Sequence, residues 1–470
     1  MAVIEATLKS FEFHMPAIIV GAGACGLAAA IAARDSDIDV LVIERDPSPL
    51  GTTAMSTGLI PAAGTDEQIA RGIEDSPQRF AADIMAKARN GACAEVVQAL
   101  ADDSAETISW LRDKHQLPLT LLDGFTYPGH SVMRMYGSPN RTGSELMAGM
   151  QDAAIQSGAD ILTQAVVCDL FVDAEQRVLG VSIERPDGQR EEIGCDALVL
   201  ACCGFAGNQS LVAEYIPEIA EGTFHGHPGN KGEAIQWGRE LGARLADMDA
   251  YQGHGGLAAG HGIPILWPLI MEGGFQVNRN GERFSDESQG YSEQAVKVLA
   301  QPDKVAFSVF DERLYALMEQ FSDFQDALEA GALISAPDVE ALAAAMKVPE
   351  DALLATFAQE RGCKSGAQKC PFGRDFAGLQ ALEGNLYAAR VTGALFHTQG
   401  GLEIDGSARV LRESGEPFPN LYAGGGAARG ISGTGSAGYM AGNGLLTATG
   451  LGKLAGRAVA AQLKSESGAN

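Results

Sequence analysis

Residues 16–46 constrain this chain more than any other stretch: Pro-Ala-Ile-Ile-Val-Gly-Ala-Gly-Ala-Cys-Gly-Leu, an alanine-rich run, then Val-Leu-Val-Ile-Glu-Arg-Asp. Residues 17–20 form a short apolar run of the kind that makes a buried parallel strand. Gly21, Gly23 and Gly26 have the G-x-G-x-x-G spacing at the turn into a helix predicted over residues 27–34, and residues 39–43 read as a second strand. Glu44 ends that strand 18 residues past Gly26, where an acid is needed to hold a ribose hydroxyl. Gly21 permits the tight turn, Gly23 lets backbone approach a pyrophosphate, and Gly26 lets the helix pack against the strand. The helix N-terminus offers unpaired N–H groups and a positive dipole end. Three spaced glycines alone would say little; strand, turn, helix, strand and terminal acid in register define a dinucleotide site.

A chain of 470 residues has room for two or three domains and a large core. Its 58 glycines, about one residue in eight, suit a fold that wraps backbone around a large cofactor. A net charge of −26 argues against nucleic acid or an anionic membrane as partner. The eight cysteines (25, 93, 168, 195, 202, 203, 363 and 370) form no C-x-x-C pair. Reduced thiols in a cytoplasm are therefore expected, with neither a disulfide framework nor a metal site. No basic n-region precedes an apolar stretch, and no run reaches the ~18 apolar residues of a membrane span.

Past Glu44, residues 51–65 are small and hydroxyl-bearing (Thr52, Thr53, Ser56, Thr57, Gly58). Such a segment lets backbone lie flush against a flat ring. Residues 66–115 have helical spacing and read as packing. The stretch Tyr127-Pro-Gly-His130-Ser-Val-Met-Arg134-Met-Tyr136, ending at Arg141, is aromatic, basic and Gly-rich before a helix over residues 144–156; it is either a solvated surface or a substrate or cofactor contact. Residues 161–173, 178–185 and 191–193 read as a β-meander with a turn at Asp187-Gly188. A second apolar strand over 197–201 ends in glycines at Gly204 and Gly207. From residue 251 to about 389 the composition changes to alternating helices, read as an inserted cap. The final segment is Gly-rich again, and a last helix over 445–463 carries small residues on one face. The expected architecture is α/β: a Rossmann-like domain of parallel sheet and β-meander over 1–250 and 390–470, with an α+β cap over 251–389.

The set of motifs resembles the flavoprotein family of soluble fumarate reductases and 3-ketosteroid dehydrogenases. Its carriers are the N-terminal βαβ unit, residues 197–208, Gly274 to Glu287 (with Gly281-Glu-Arg-Phe-Ser-Asp-Glu287), His397-Thr-Gln-Gly400-Gly401 and Asn420 to Gly426. The resemblance implies FAD, and extends cofactor contact to Ala24, Arg45, Val166, Ala201, Gly204, Asn208, Gly232, Gly400, Gly401, Gly425, Asn443, Gly444 and Leu445. It is expected to be held non-covalently, because the family's covalent members have a His in the loop after the ribose acid and residues 45–65 contain none. The family moves a hydride between flavin and one carbon of a C–C bond next to a carbonyl or carboxylate, while a protein group handles the proton on the neighbouring carbon. An external electron acceptor and a small carbonyl substrate are the implied partners.

Two guanidiniums that fumarate reductases carry are missing. Where those enzymes place a proton-donating Arg four residues past the motif Glu, this chain has Tyr291, and the loop from Gly433 to Asn443 contains no Arg. Arg134, Arg141 or Arg429 could substitute. Arg-Phe-x-x-Glu-x-x-x-Tyr resembles the ketosteroid dehydrogenase branch, in which that Tyr is the base, supported here by Tyr127 or Tyr136. Ser436 falls where that branch has the Tyr that holds the ketone oxygen; Ser436 itself or Tyr439, beside Gly438, would take its place. His397 either binds substrate or supports the flavin loop. The expected reaction is desaturation α,β to the carbonyl of a cyclic ketone, with Arg134 or Arg141 gripping a carboxylate if the substrate has one. Reduction of an enone or enoate by the same site, and a flavin subunit without chemistry of its own, are the alternatives.

Overall fold

The computed structural model describes every residue except Leu8, Phe125, Ala469 and Asn470. The strand Phe13–Val20 has its last four residues buried, and the helix Ala24–Arg34 buries all but its final residue. The helix leads into the fully buried strand Val40–Ile43, parallel to the first with Ala17 opposite Val40 and Val20 opposite Ile43. The turn between them turns on two glycines. Gly21 has φ +101°, and a Cβ on Gly26 would sit 1.8 Å from the Gly21 carbonyl oxygen. Only hydrogen fits there.

This pair lies inside a nine-stranded sheet. Residues 191–193 and 197–200, expected as separate strands, are one strand, Arg190–Leu200. Its first half pairs antiparallel with Val178–Glu184, completing the meander. Its second half runs parallel to Phe13–Val20 and to Pro417–Ala423. The expected strand over 161–173 is instead two: Asp160–Leu162 continues the parallel sheet beside Val40–Ile43, and Val166–Val172 begins the meander. The carboxyl ends of three parallel strands, each followed by glycines, therefore converge at Gly21, Ala201 and Gly424, the edge at which α/β sheets bind ligands.

The C-terminal helix Asn443–Gly468 closes the chain over its own beginning. Its small-residue face lies on the helix Ala24–Arg34: Cβ atoms at Gly452 and Gly456 would each come within 2.3 Å of the carbonyl oxygens of Cys25 and Ala29.

A second sheet stands over this edge. Its spine is the 13-residue strand Leu386–Thr398, paired antiparallel with Tyr251–Ala258, Val305–Asp311 and Leu333–Ala336. Helices form as the sequence predicts (Glu312–Met318, Val339–Met346, Glu350–Lys364), but they pack on this sheet around a separate core containing Phe275, Phe310 and Phe324. The Glu287 carboxylate is fully buried there between Arg283 (2.6 Å) and Arg374 (3.1 Å). Burial alone would raise its pKa; the two guanidiniums hold it below the usual range. This part of the Arg-Phe-x-x-Glu motif is a structural clamp that fixes the loop leading into the helix Tyr291–Leu299.

Candidate active site

The carboxyl edge of the first sheet opens into a cleft of about 820 Å³ lined by Gly21, Gly23, Ala24, Glu44, Arg45, Thr52, Thr53, Val166, Ala201 and Gly425. Cys203, His227, Glu233 and Trp237 are among the walls that the sequence did not point to. Glu44 is fixed by two amides, Ala22 N–H donating to Oε2 (2.8 Å) and Asp46 N–H to Oε1 (3.0 Å). Arg45 donates to the Gly229 carbonyl (2.7 Å) and to Glu233 Oε1 (2.6 Å).

Two features fit this cleft to a large polar cofactor. Glu233 Oε2 and Trp237 Nε1 are buried there without partners among the described residues, a cost that a ligand would remove. Gly23 has an extended backbone (φ −72°), and a Cβ on it would meet only Thr53 Oγ1, at 3.7 Å. The backbone there is left open to the cleft, so a large ligand can lie directly against it.

The cleft continues through Thr52, Thr53, Cys203, Gly426 and Ala448 into a second cavity of about 1240 Å³ beneath the second sheet. Its walls are aromatic. His254 stacks between Tyr291 (ring centroids 5.1 Å apart) and Phe396 (5.0 Å), and Trp267 meets Tyr291 edge-on at 6.1 Å. Tyr439 packs edge-on against Tyr291 (6.1 Å) and His397 (5.5 Å). Burial raises the pKa of both tyrosines, and the approach of their hydroxyls raises Tyr291 further while lowering Tyr439. The two hydroxyls adjoin, and the Gly444 amide eases Tyr439 as well.

The cavity's histidines are held neutral. Burial brings His254 down to about 3 and His397 to about 4, and lowers His225 as well. The Gly256 amide donates to His254 Nδ1 (3.0 Å), so the neutral ring carries its proton on Nε2. His397 is supported by the Gln399 amide at Nδ1 (3.1 Å), and Gln399 Oε1 accepts from Ser432, which also holds Asn443 Nδ2. Asn443 Oδ1 remains buried and without a partner among the described residues. Ser56, Thr57, Gly444 and Leu445 line this cavity, as the small-residue segment and the closing motif suggested.

Several expected site residues lie elsewhere. Arg134 is fully buried, donating to Asp75 (2.9 and 3.0 Å) and Asp83 (2.6 Å) with its guanidinium 4.6 Å from the Phe80 ring centre. It ties a loop to a helix and reaches no cavity ligand. Arg134→Ala is expected to destabilise the fold by about 3–5 kcal/mol, because Asp75 is left charged and buried, while the flavin absorbance change on ligand binding survives in the folded fraction; a urea midpoint and a ligand titration check both. Arg141 donates to Gln320 (2.6 Å) outside the cavity. Tyr136 hydrogen-bonds Thr65 in a small sheet, its pKa raised by burial to about 12; Tyr127 is the tyrosine that lines the cavity near Tyr291. Ser436 faces Tyr251, whose hydroxyl donates to Glu218 (2.6 Å), so Tyr439 is the cavity's hydroxyl from that loop. Arg429 pairs with Asp247 and Glu403. Gly26, Gly58, Gly204, Gly232, Gly400, Gly401 and Gly438 are pressed against protein atoms and line neither cavity. Asn208 caps the helix Gln209–Tyr215. His254, Trp267, Phe396 and Gln399 were not singled out; the only signal for His254 was its setting between glycines.

A dinucleotide cleft that opens into an aromatic cavity with paired tyrosines defines a flavin-dependent redox protein. Residues 17–445 match the FAD binding domain family, and the chain belongs to that family. It is 28% identical to the fumarate reductase (cytochrome) of Shewanella frigidimarina over 445 residues, 94% of this chain and 76% of that one. Among solved structures it resembles the open conformation of a flavocytochrome c3 fumarate reductase (TM-score 0.81, 26% identity, 97% of this chain and 79% of that one). It shares its fold with the 3-ketosteroid-Δ4-(5α)-dehydrogenase of Rhodococcus jostii RHA1 (TM-score 0.78, 24% identity, 98% and 100% covered). The protein is an FAD-dependent oxidoreductase acting on carbon–carbon single or double bonds. Among the described residues, no helix is long and apolar enough to cross a membrane.

Proposed function

We propose that this enzyme interconverts a cyclic ketone lacking a carboxylate beside the reacting bond and its α,β-unsaturated counterpart. One observation carries the reading: the cavity that opens from the FAD cleft has tyrosines in its wall and, among the described residues, neither Lys nor Arg. A dicarboxylate needs cations to offset its desolvation; a ketone needs a hydrogen-bond donor aimed at its oxygen.

FAD, when bound, supplies the hydride acceptor or donor for one of the two carbons. Glu44, Arg45, Glu233 and the turn at Gly21 and Gly23 are the residues to hold it. Tyr439, its oxygen supported by the Gly444 amide, polarises the carbonyl, Tyr291 exchanges the proton of the α-carbon, and the rings of His254, Trp267 and Phe396 exclude water. An external redox partner returns or removes the electrons.

The state of Tyr291 favours saturation of an enone, because burial keeps its hydroxyl protonated well past neutral pH and a protonated donor is what that direction needs. Desaturation has its own support: the Tyr439 hydroxyl adjoins that of Tyr291, so Tyr291 has a group through which to pass a proton. Anaerobic mixing decides. Reduced protein is expected to be reoxidised by 2-cyclohexenone or a 3-keto-Δ4-steroid and not by fumarate; reoxidation by fumarate alone would sink the proposal. Bleaching of oxidised protein by the saturated ketone, without turnover of the enone, would select desaturation.

A further inference from the structure

One group in the substrate cavity has no part in this chemistry. Asp323 lies in the first turn of the helix Ser322–Glu329 and is the sole Asp, Glu, Lys or Arg lining the cavity among the described residues. Among the described residues Asp323 has neither a hydrogen bond nor an ion pair; what acts on it is burial and the charge of Asp326, which together bring its pKa up to about 6. Half-buried, it presents a carboxylate in a wall that is otherwise without charged side chains among the described residues. It acts on Tyr127, as Arg141 does, which places it on the Tyr127 side of the cavity.

We propose that Asp323 is a specificity residue, receiving a hydroxyl or ammonium substituent that a ring substrate presents on the Tyr127 side and turning carboxylates away. The carboxylate and the lack of any Lys or Arg among the described residues of the wall both point to a ligand that donates, since such a group bonds Asp323 where a carboxylate would be repelled by it. The inference rests on the reading that the cavity takes a ring ketone.

The test uses FAD-loaded protein and four phenols that mimic the enol of a ring ketone and differ only at the end of a two-carbon arm: 4-ethylphenol, tyrosol, tyramine and 4-hydroxyphenylacetate. Binding is read from the flavin absorbance change. Tyramine is expected to bind about tenfold tighter than 4-ethylphenol, with tyrosol between them and the carboxylate weakest. In Asp323→Asn, checked for unchanged FAD content, the tyramine advantage should vanish and the carboxylate should gain about tenfold. If 4-ethylphenol binds and the order of the four is the same in both proteins, Asp323 does not select and the ring-ketone reading stands. If none of the phenols perturbs the flavin of either protein, the ring-ketone reading falls and this inference with it.

Discussion

Tyr291→Phe is expected to lower the rate of flavin reoxidation by a cyclic enone about 10³-fold, the range in which a positioned proton donor contributes. FAD content and the spectral change on binding a phenol should stay near wild type. The separation of effects follows from the geometry. The ring of Tyr291 packs among His254, Trp267 and Tyr439, and Phe keeps every one of those contacts. Only the hydroxyl is lost, and with it the group that gives a proton to the α-carbon. Tyr439→Phe should differ in kind. Its hydroxyl faces the carbonyl oxygen in the proposed pose, so ligand affinity and rate should fall together, by about 10²-fold in rate. Stopped-flow mixing of photoreduced protein with 2-cyclohexenone measures the first effect; titration with 4-ethylphenol separates the second. A Tyr291→Phe enzyme that reoxidises at the wild-type rate would remove Tyr291 from the mechanism.

Two glycines three residues apart should fail in opposite ways. Gly26→Ala places a methyl where a Cβ would lie 1.8 Å from the Gly21 carbonyl oxygen and 3.3 Å from Ile19 Cγ2. Neither the turn nor the strand can move without breaking the parallel pairing, so a loss of about 3 kcal/mol in stability is expected, at the upper end for overpacking. Gly23→Val should leave the fold intact to within about 0.5 kcal/mol, because Val adopts φ −72° and the new side chain starts in open space. That space is the FAD cleft, so the variant should be folded and colourless. Urea unfolding of the apoproteins, with flavin absorbance of the purified proteins, reports both. A yellow Gly23→Val protein would mean that the cofactor does not pass over this turn.

What was legible in the sequence was legible because it is local. The turn from Gly21 to Gly26 needs particular residues at fixed spacing, and so does the glycine stripe of the C-terminal helix, where Gly452 and Gly456 meet Cys25 and Ala29. Pairings between distant segments left no such mark. Arg134 reads as a candidate anion binder until Asp75 and Asp83, 59 and 51 residues earlier, bury it. Ser436 and Tyr439 are three residues apart in one loop; spacing favours the serine, but the fold turns it toward Tyr251 and gives the cavity to Tyr439. The strand Arg190–Leu200 looked broken at Gly194 and Asp196 because one half serves a meander and the other a parallel sheet.

The sequence by itself determined a dinucleotide fold, FAD as its ligand and Tyr291 as the residue that departs from the fumarate reductase pattern. The first rests on residue types at short, fixed separations, which backbone geometry reads directly; the other two are what the family resemblance of the motifs implied. Tertiary structure alone decided which tyrosine faces Tyr291, which arginines are locked in ion pairs, and that His254, Phe396 and Asp323 share one cavity. Those outcomes depend on the packing of two sheets over one edge, where groups from many separate parts of the chain are desolvated together, and no single segment carries that information.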